Sequence, residues 1–69
     1  MRTWMKDKRQ EAGLTMDEMA AKLNISTPYY SLIEAGKRQQ RMDITLVTKL
    51  AEIFSLTLED VVELEEART

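Results

Sequence analysis

Apolar residues recur along this chain at three- and four-residue spacings, in five short blocks separated by turn-forming residues. The spacing predicts a first helix over residues 2–12, with Trp4, Met5, Lys8 and Arg9 on one face and Gly13 placed to end it. Thr15 then reads as an N-cap, and Glu18, three residues on, completes a capping box. The helix it opens carries Met16, Met19, Ala20 and Leu23 on one side. Asn24 tolerates the left-handed backbone that a sharp turn between helices requires. Ser26 is the next N-cap, and Pro28 falls in the first turn, where its missing N–H costs nothing. That third helix ends near Ala35, with Gly36 just beyond it. Asp43 caps a fourth, in which Ile44, Val47, Leu50, Ala51 and Phe54 form an apolar stripe. Thr57 caps a fifth, with Leu58, Val61, Val62 and Leu64 facing inward and acids facing out. No strand-like alternation and no Asn-Gly or Asp-Gly hairpin turn interrupts this pattern. The prediction is an all-α, compact five-helix fold, a single domain over residues 1–69.

Length and composition narrow the chemistry. At 69 residues the chain is near the lower limit for folding on a hydrophobic core alone, and 43% apolar with 32% charged residues exclude a disordered tail. The absence of cysteine removes disulfides and thiolate metal sites; the absence of histidine removes the commonest general base and metal ligand. With no glycine-rich phosphate loop and no paired carboxylates in a plausible cleft, no enzyme, metal or cofactor is expected, and no small-molecule ligand is evident. No apolar run is long enough to span a bilayer and no signal-peptide pattern opens the chain, so a cytoplasmic, non-membrane protein is expected.

A net charge of −2 argues at first against a nucleic-acid partner, but its distribution argues the other way. Residues 1–41 hold eight Lys/Arg against five acids, for +3; residues 42–69 hold two against seven, for −5. The chain has a basic front and an acidic back.

Two helices of about eight residues across 15–35, joined by a short turn with Ala20 at their crossing, fit a helix-turn-helix. Arg9, the "GLT" before the second helix, Ala20 and "IEAGKR" after the third stand at mutual spacings that resemble the phage-repressor/Cro (XRE) family. The likeness runs from "WMKDKRQEAGLTMDEMAAKLNISTPYYSLIEAGKR" through "ITLVTKLAEIFSLTLEDVV", nearly the whole chain. It implies a lambda-repressor-like DNA-binding fold with a structural ion pair between Arg9 and Glu34. It also implies that the third helix enters the major groove of double-stranded DNA, with Thr27, Pro28, Tyr29, Ser31 and Leu32 at the base edges. Phosphate contacts are then expected at Thr15, Met16 and Ser26 and from Lys37, Arg38 and Arg41, with Gln39 and Gln40 assisting. Met16 stands where the family commonly has Gln, and the loop after Gly36 is longer than the usual one. Thr27 and Ser31 discriminate weakly between base pairs, and Pro28 and Leu32 offer apolar contact only.

The expectation is a DNA-binding transcriptional repressor acting as a homodimer on an inverted-repeat operator. Residues 43–66 would supply helix contacts and the dimer surface, drawn from Leu56, Leu58, Val61, Val62 and Leu64, with Glu63–Glu66 turned away from DNA. The alternative is a protein-interaction module of the same fold, used as an antitoxin or antirepressor.

Overall fold

Every helix after the first begins with a side chain that closes its own first turn. The structure, a computed structural model, describes residues 1–67, which form α1 (Thr3–Glu11), α2 (Met16–Leu23), α3 (Thr27–Glu34), α4 (Ile44–Phe54) and α5 (Leu58–Glu66) and, among those residues, no strand. Side-chain oxygens of Thr15, Ser26, Asp43 and Thr57 accept from the amides of Glu18, Tyr29, Leu46 and Asp60 at 3.1, 3.2, 2.8 and 3.0 Å. At Thr15 and Thr57 the bond is returned, since Glu18 and Asp60 accept from the cap residue's own amide. Each such cap is worth about 1 kcal/mol to its helix.

The C-terminal ends of α1 to α4 share one geometry. Gly13, Asn24, Gly36 and Ser55 all adopt positive φ, at 71°, 58°, 79° and 55°. In each case the following amide reaches back five residues, Leu14 to Arg9, Ile25 to Ala20, Lys37 to Leu32 and Leu56 to Ala51, at 2.8–3.1 Å. These are Schellman closures, which satisfy helix-end carbonyls and turn the chain sharply. Gly13 and Gly36 take the left-handed conformation without strain, whereas Asn24 and Ser55 bear part of its cost.

Closed at both ends, the helices meet around one core. Trp4 and Met5 of α1, Met19, Ala20 and Leu23 of α2, Tyr30 and Ile33 of α3, Leu46, Val47, Leu50 and Ala51 of α4 and Val61 of α5 are all buried. Ala20 of α2 is 2% exposed, α2 and α3 pack closely together, and α4 and α5 form the other close helix pair. The Cα radius of gyration of 10.7 Å matches the ~11 Å expected of a well-packed chain this long.

Two features of the apolar pattern turn out differently from the sequence reading. Ile44 is 67% exposed, because it is the first residue of α4 and projects past the core, and Leu46 takes the inward position instead. In α5 only Val61 is fully buried, while Leu58 and Val62 are 46% and 43% exposed. A nine-residue helix packed chiefly on α4 has room for only a narrow buried stripe.

Ser55 offers a test of the shared helix ending. Ser55→Gly relieves the left-handed strain without removing a side-chain contact that the closure uses. It should stabilise the protein by ~0.5–1 kcal/mol, a rise in melting temperature of about 2–8 °C on thermal denaturation.

Candidate nucleic-acid interface

The orientation of α3 is set at its last residue. Glu34 is 1% exposed, and a carboxylate so far from water needs donors on both oxygens. Arg9 supplies two, Nε to Oε2 at 3.0 Å and Nη2 to Oε1 at 3.2 Å, and the Tyr30 hydroxyl donates to Oε2 at 2.6 Å. The third guanidinium nitrogen of Arg9, Nη1, donates to the Leu14 carbonyl at 3.0 Å, so α1, the turn before α2 and the end of α3 are tied at one point. The hydrogen bond to Glu34 holds the Arg9 pKa above its ordinary value. Burial, followed by the Glu34 carboxylate, raises that of the Tyr30 phenol.

The outward face of α3 is less polar than its sequence suggests, because several polar groups are engaged internally. Thr27 is half-buried and its hydroxyl donates to Asp17 Oδ1 at 2.8 Å, joining the first turns of α2 and α3. Pro28 is exposed, and Ser31 and Leu32 are half-buried. Tyr29 is placed differently from these neighbours: it is half-buried against the core, its hydroxyl accepts from Gln39 Nε2 at 2.8 Å, and it lines a small crevice with Leu23, Leu46 and Lys49. The amide of Tyr29 is taken by Ser26 Oγ and Pro28 has none, which leaves Thr27 as the free-amide position at this helix start.

At the start of α2 both polar groups of Thr15 take part in the capping box, although its hydroxyl keeps a proton to donate. The Thr15 amide, and after it the Thr15 hydroxyl, hold the exposed Glu18 carboxyl below the usual carboxylate range. The amides of Met16 and Asp17 are the first-turn donors that the box leaves unused.

The loop between α3 and α4 carries the exposed cations Lys37, Arg38 and Arg41. The backbone beneath them is closely held. Gln39, at φ 56°, donates to the Tyr29 hydroxyl and accepts from the Asp43 amide at 3.2 Å, which folds the loop back to the first turn of α3. Gln40 Nε2 donates to the Gly36 carbonyl at 2.9 Å. These two glutamines, expected to assist at phosphates, are therefore parts of the loop's own scaffold.

A more important residue escaped the sequence reading. Arg2, counted there as one of the front cations, is fully buried. It donates to the carbonyls of Ile33, Arg38 and Gln39 and pairs with Glu65 at 2.8 Å, and Glu65 also accepts from Trp4 Nε1 at 3.0 Å. Glu65 is thus not a solvated tail acid. No sequence signal announces Arg2, because three of its acceptors are backbone carbonyls, which leave no mark on residue identity.

Among the described residues, no buried side-chain nitrogen or oxygen lacks a partner, and no group of three His, Cys, Asp or Glu residues could hold a metal ion. No helix among them is long and apolar enough to cross a membrane.

Comparison with known proteins agrees with this geometry. A family model described as helix-turn-helix matches residues 5–61. A Bacillus subtilis (strain 168) protein named as an uncharacterized HTH-type transcriptional regulator, YqaF, is 35% identical over 63 residues, covering 88% of this chain and 83% of that protein. No solved structure matches.

Two variants test the ionic centre. Glu34→Ala strands the Arg9 guanidinium and the Tyr30 hydroxyl in a dry site, a loss on the order of 3–5 kcal/mol. For a chain of this size, whose total is roughly 3–10 kcal/mol, that is about a third of the total or more, so circular dichroism should show a markedly lowered melting temperature. Tyr30→Phe should cost about 1.5–3 kcal/mol at neutral pH. The folded-state pKa of Tyr30 is raised, so the stability it contributes is fully present below the unfolded value of about 10 and declines as pH rises above it. Denaturant melts from pH 7 to 11 should therefore show the wild type losing its advantage over Tyr30→Phe at the alkaline end.

Proposed function

The chain belongs to the helix-turn-helix family of the phage-repressor/Cro (XRE) type, and from that premise we propose that it is a DNA-binding transcriptional regulator, acting as a repressor. α3 enters the major groove, with Thr27, Pro28, Ser31 and Leu32 toward the base edges and Tyr29 at the margin of that surface. The amides of Met16 and Asp17 and the hydroxyls of Thr15 and Ser26 meet phosphates, where the positive end of a helix favours an anion. Lys37, Arg38 and Arg41 neutralise further phosphates and supply the larger share of affinity.

The observation that carries this reading is the bond from Gln39 to Tyr29. It returns the basic loop to the starting turn of α3, so that cations and reading helix face one partner together. The poverty of strong donors on that helix assigns part of any specificity to DNA shape.

A single module offers roughly 600–1,000 Å² of interface, too little for tight specific binding, so the operator is an inverted repeat occupied by a dimer. Exposed Leu58 and Val62 support a dimer contact through α5, as does a groove of about 580 Å³ lined by Met42, Val47 and Val62. Val61, fully buried within the monomer, takes no part.

Selection of bound duplexes from a random pool, followed by salt titration, tests the proposal. An inverted repeat should emerge, and affinity should fall steeply with salt; a flat response would favour a protein-interaction module instead. The double variant Lys37→Ala, Arg38→Ala should weaken binding to all sequences alike and reduce the salt slope by about 2. Its melting temperature should stay within a few degrees of wild type.

A further inference from the structure

Among the described residues Arg2 is the largest fully buried side chain, and nothing in the role proposed for α3 requires it. A guanidinium carries five N–H donors in a rigid fork. Here each of the three nitrogens has an acceptor. Nε faces the Glu65 carboxylate at 2.9 Å, Nη1 serves the carbonyls of Ile33 and Arg38, and Nη2 serves the Gln39 carbonyl and lies 2.8 Å from Glu65 Oε2 as an ion pair. The Arg2 amide adds a fourth element by donating to the Glu34 carbonyl at 2.8 Å.

The chemistry of these acceptors is informative. Two of them, Arg38 and Gln39, are consecutive residues in the middle of the basic loop, and Gln39 sits in a strained left-handed conformation. Carbonyls that point inward at adjacent positions turn the chain so that the Lys37 and Arg38 side chains are left at the surface, and both are exposed. A non-glycine residue at positive φ persists only where its surroundings over-determine it. Arg2 from beneath and the Gln39 side chain, bonded to Tyr29 and Asp43, supply that determination.

We propose that Arg2 is a positioning residue for DNA binding: it touches no phosphate, but fixes the path of the loop segment that presents Lys37 and Arg38. The inference rests on the DNA-binding reading of that loop. It also makes the loop depend on α5, because Glu65 neutralises and orients the same guanidinium. Lysine cannot replace Arg2, having three donors on a single atom and no fork.

Arg2→Lys in the full chain is the test, with two readouts. The first is the salt dependence of binding to a random-sequence duplex, taken at a temperature where circular dichroism shows the variant folded. A misplaced loop should make the log–log slope shallower by about 2, the share of Lys37 and Arg38. Added to the Lys37→Ala, Arg38→Ala pair, Arg2→Lys should then change the slope no further. A residue that only supports the fold would lower the melting temperature and leave the slope of the folded variant unchanged, and that result overturns the proposal. The second readout needs no DNA. Amide exchange at Asp43, bonded to Gln39 Oε1, should accelerate, while that at Asp60 in the α5 capping box should not. Equal acceleration at both would refute a role specific to the loop. If the wild type itself binds no duplex, the DNA-binding reading fails and the exchange comparison alone decides the role of Arg2. If Arg2→Lys is unfolded even in a stabilising osmolyte, Arg2 holds the whole molecule and the proposal is wrong.

Discussion

The molecule is organised by the need to keep one carboxylate satisfied away from water. Glu34 closes α3, and removing it from solvent without donors would cost several kcal/mol. Three donors from two elements converge on it, and the geometry of that convergence leaves α3 little freedom relative to α1. Because Arg9 also holds the Leu14 carbonyl, the same centre sets the turn from which α2 departs. The α2–α3 angle, on which any groove-reading function rests, is therefore held from behind by polar bonds as well as by the buried apolar residues of both helices. Such a centre adds little net stability over an apolar one of the same shape, but it tolerates few alternative arrangements of its partners.

What could be read from the sequence was what local chemistry writes into residue identity. Thr15, Ser26, Asp43 and Thr57 are cap residues by type and position, and each caps its helix. Gly13, Asn24 and Gly36 are left-handed residues by type, and each is left-handed. Ser55 performs the same task without the identity that advertises it, and went unread. Helical period marked most of the core but failed at Ile44, Leu58 and Val62, where a correct spacing falls beyond the reach of the opposing helix. Arg2 and Gln39 were misjudged for a further reason. Both have the residue type of a surface group, and their partners are backbone atoms, a tyrosine ten residues away, or, for Arg2, a glutamate 63 positions away.

These internal bonds account for the character of the candidate interface. Thr27, Tyr29, Gln39 and Gln40 stand where a hydrogen-bonding surface would need them, yet each engages a neighbour in the same chain. Polar capacity has been spent on rigidity, leaving an outward face of Pro28, Ser31 and Leu32 beside a row of cations. In the DNA-binding role proposed for it, such a surface would hold a charged backbone firmly and distinguish base pairs weakly.

The pairing of Arg2 with Glu65 spans 63 positions of the chain. Small domains ordinarily begin to unravel at their termini, where few contacts hold the backbone. Here the residue before α1 and the last turn of α5 grip each other, with Trp4 bonded to the same carboxylate. Neither segment can peel away without releasing the other, so the opening of α1 and that of the last turn of α5 are coupled, and local loosening at either one draws in both.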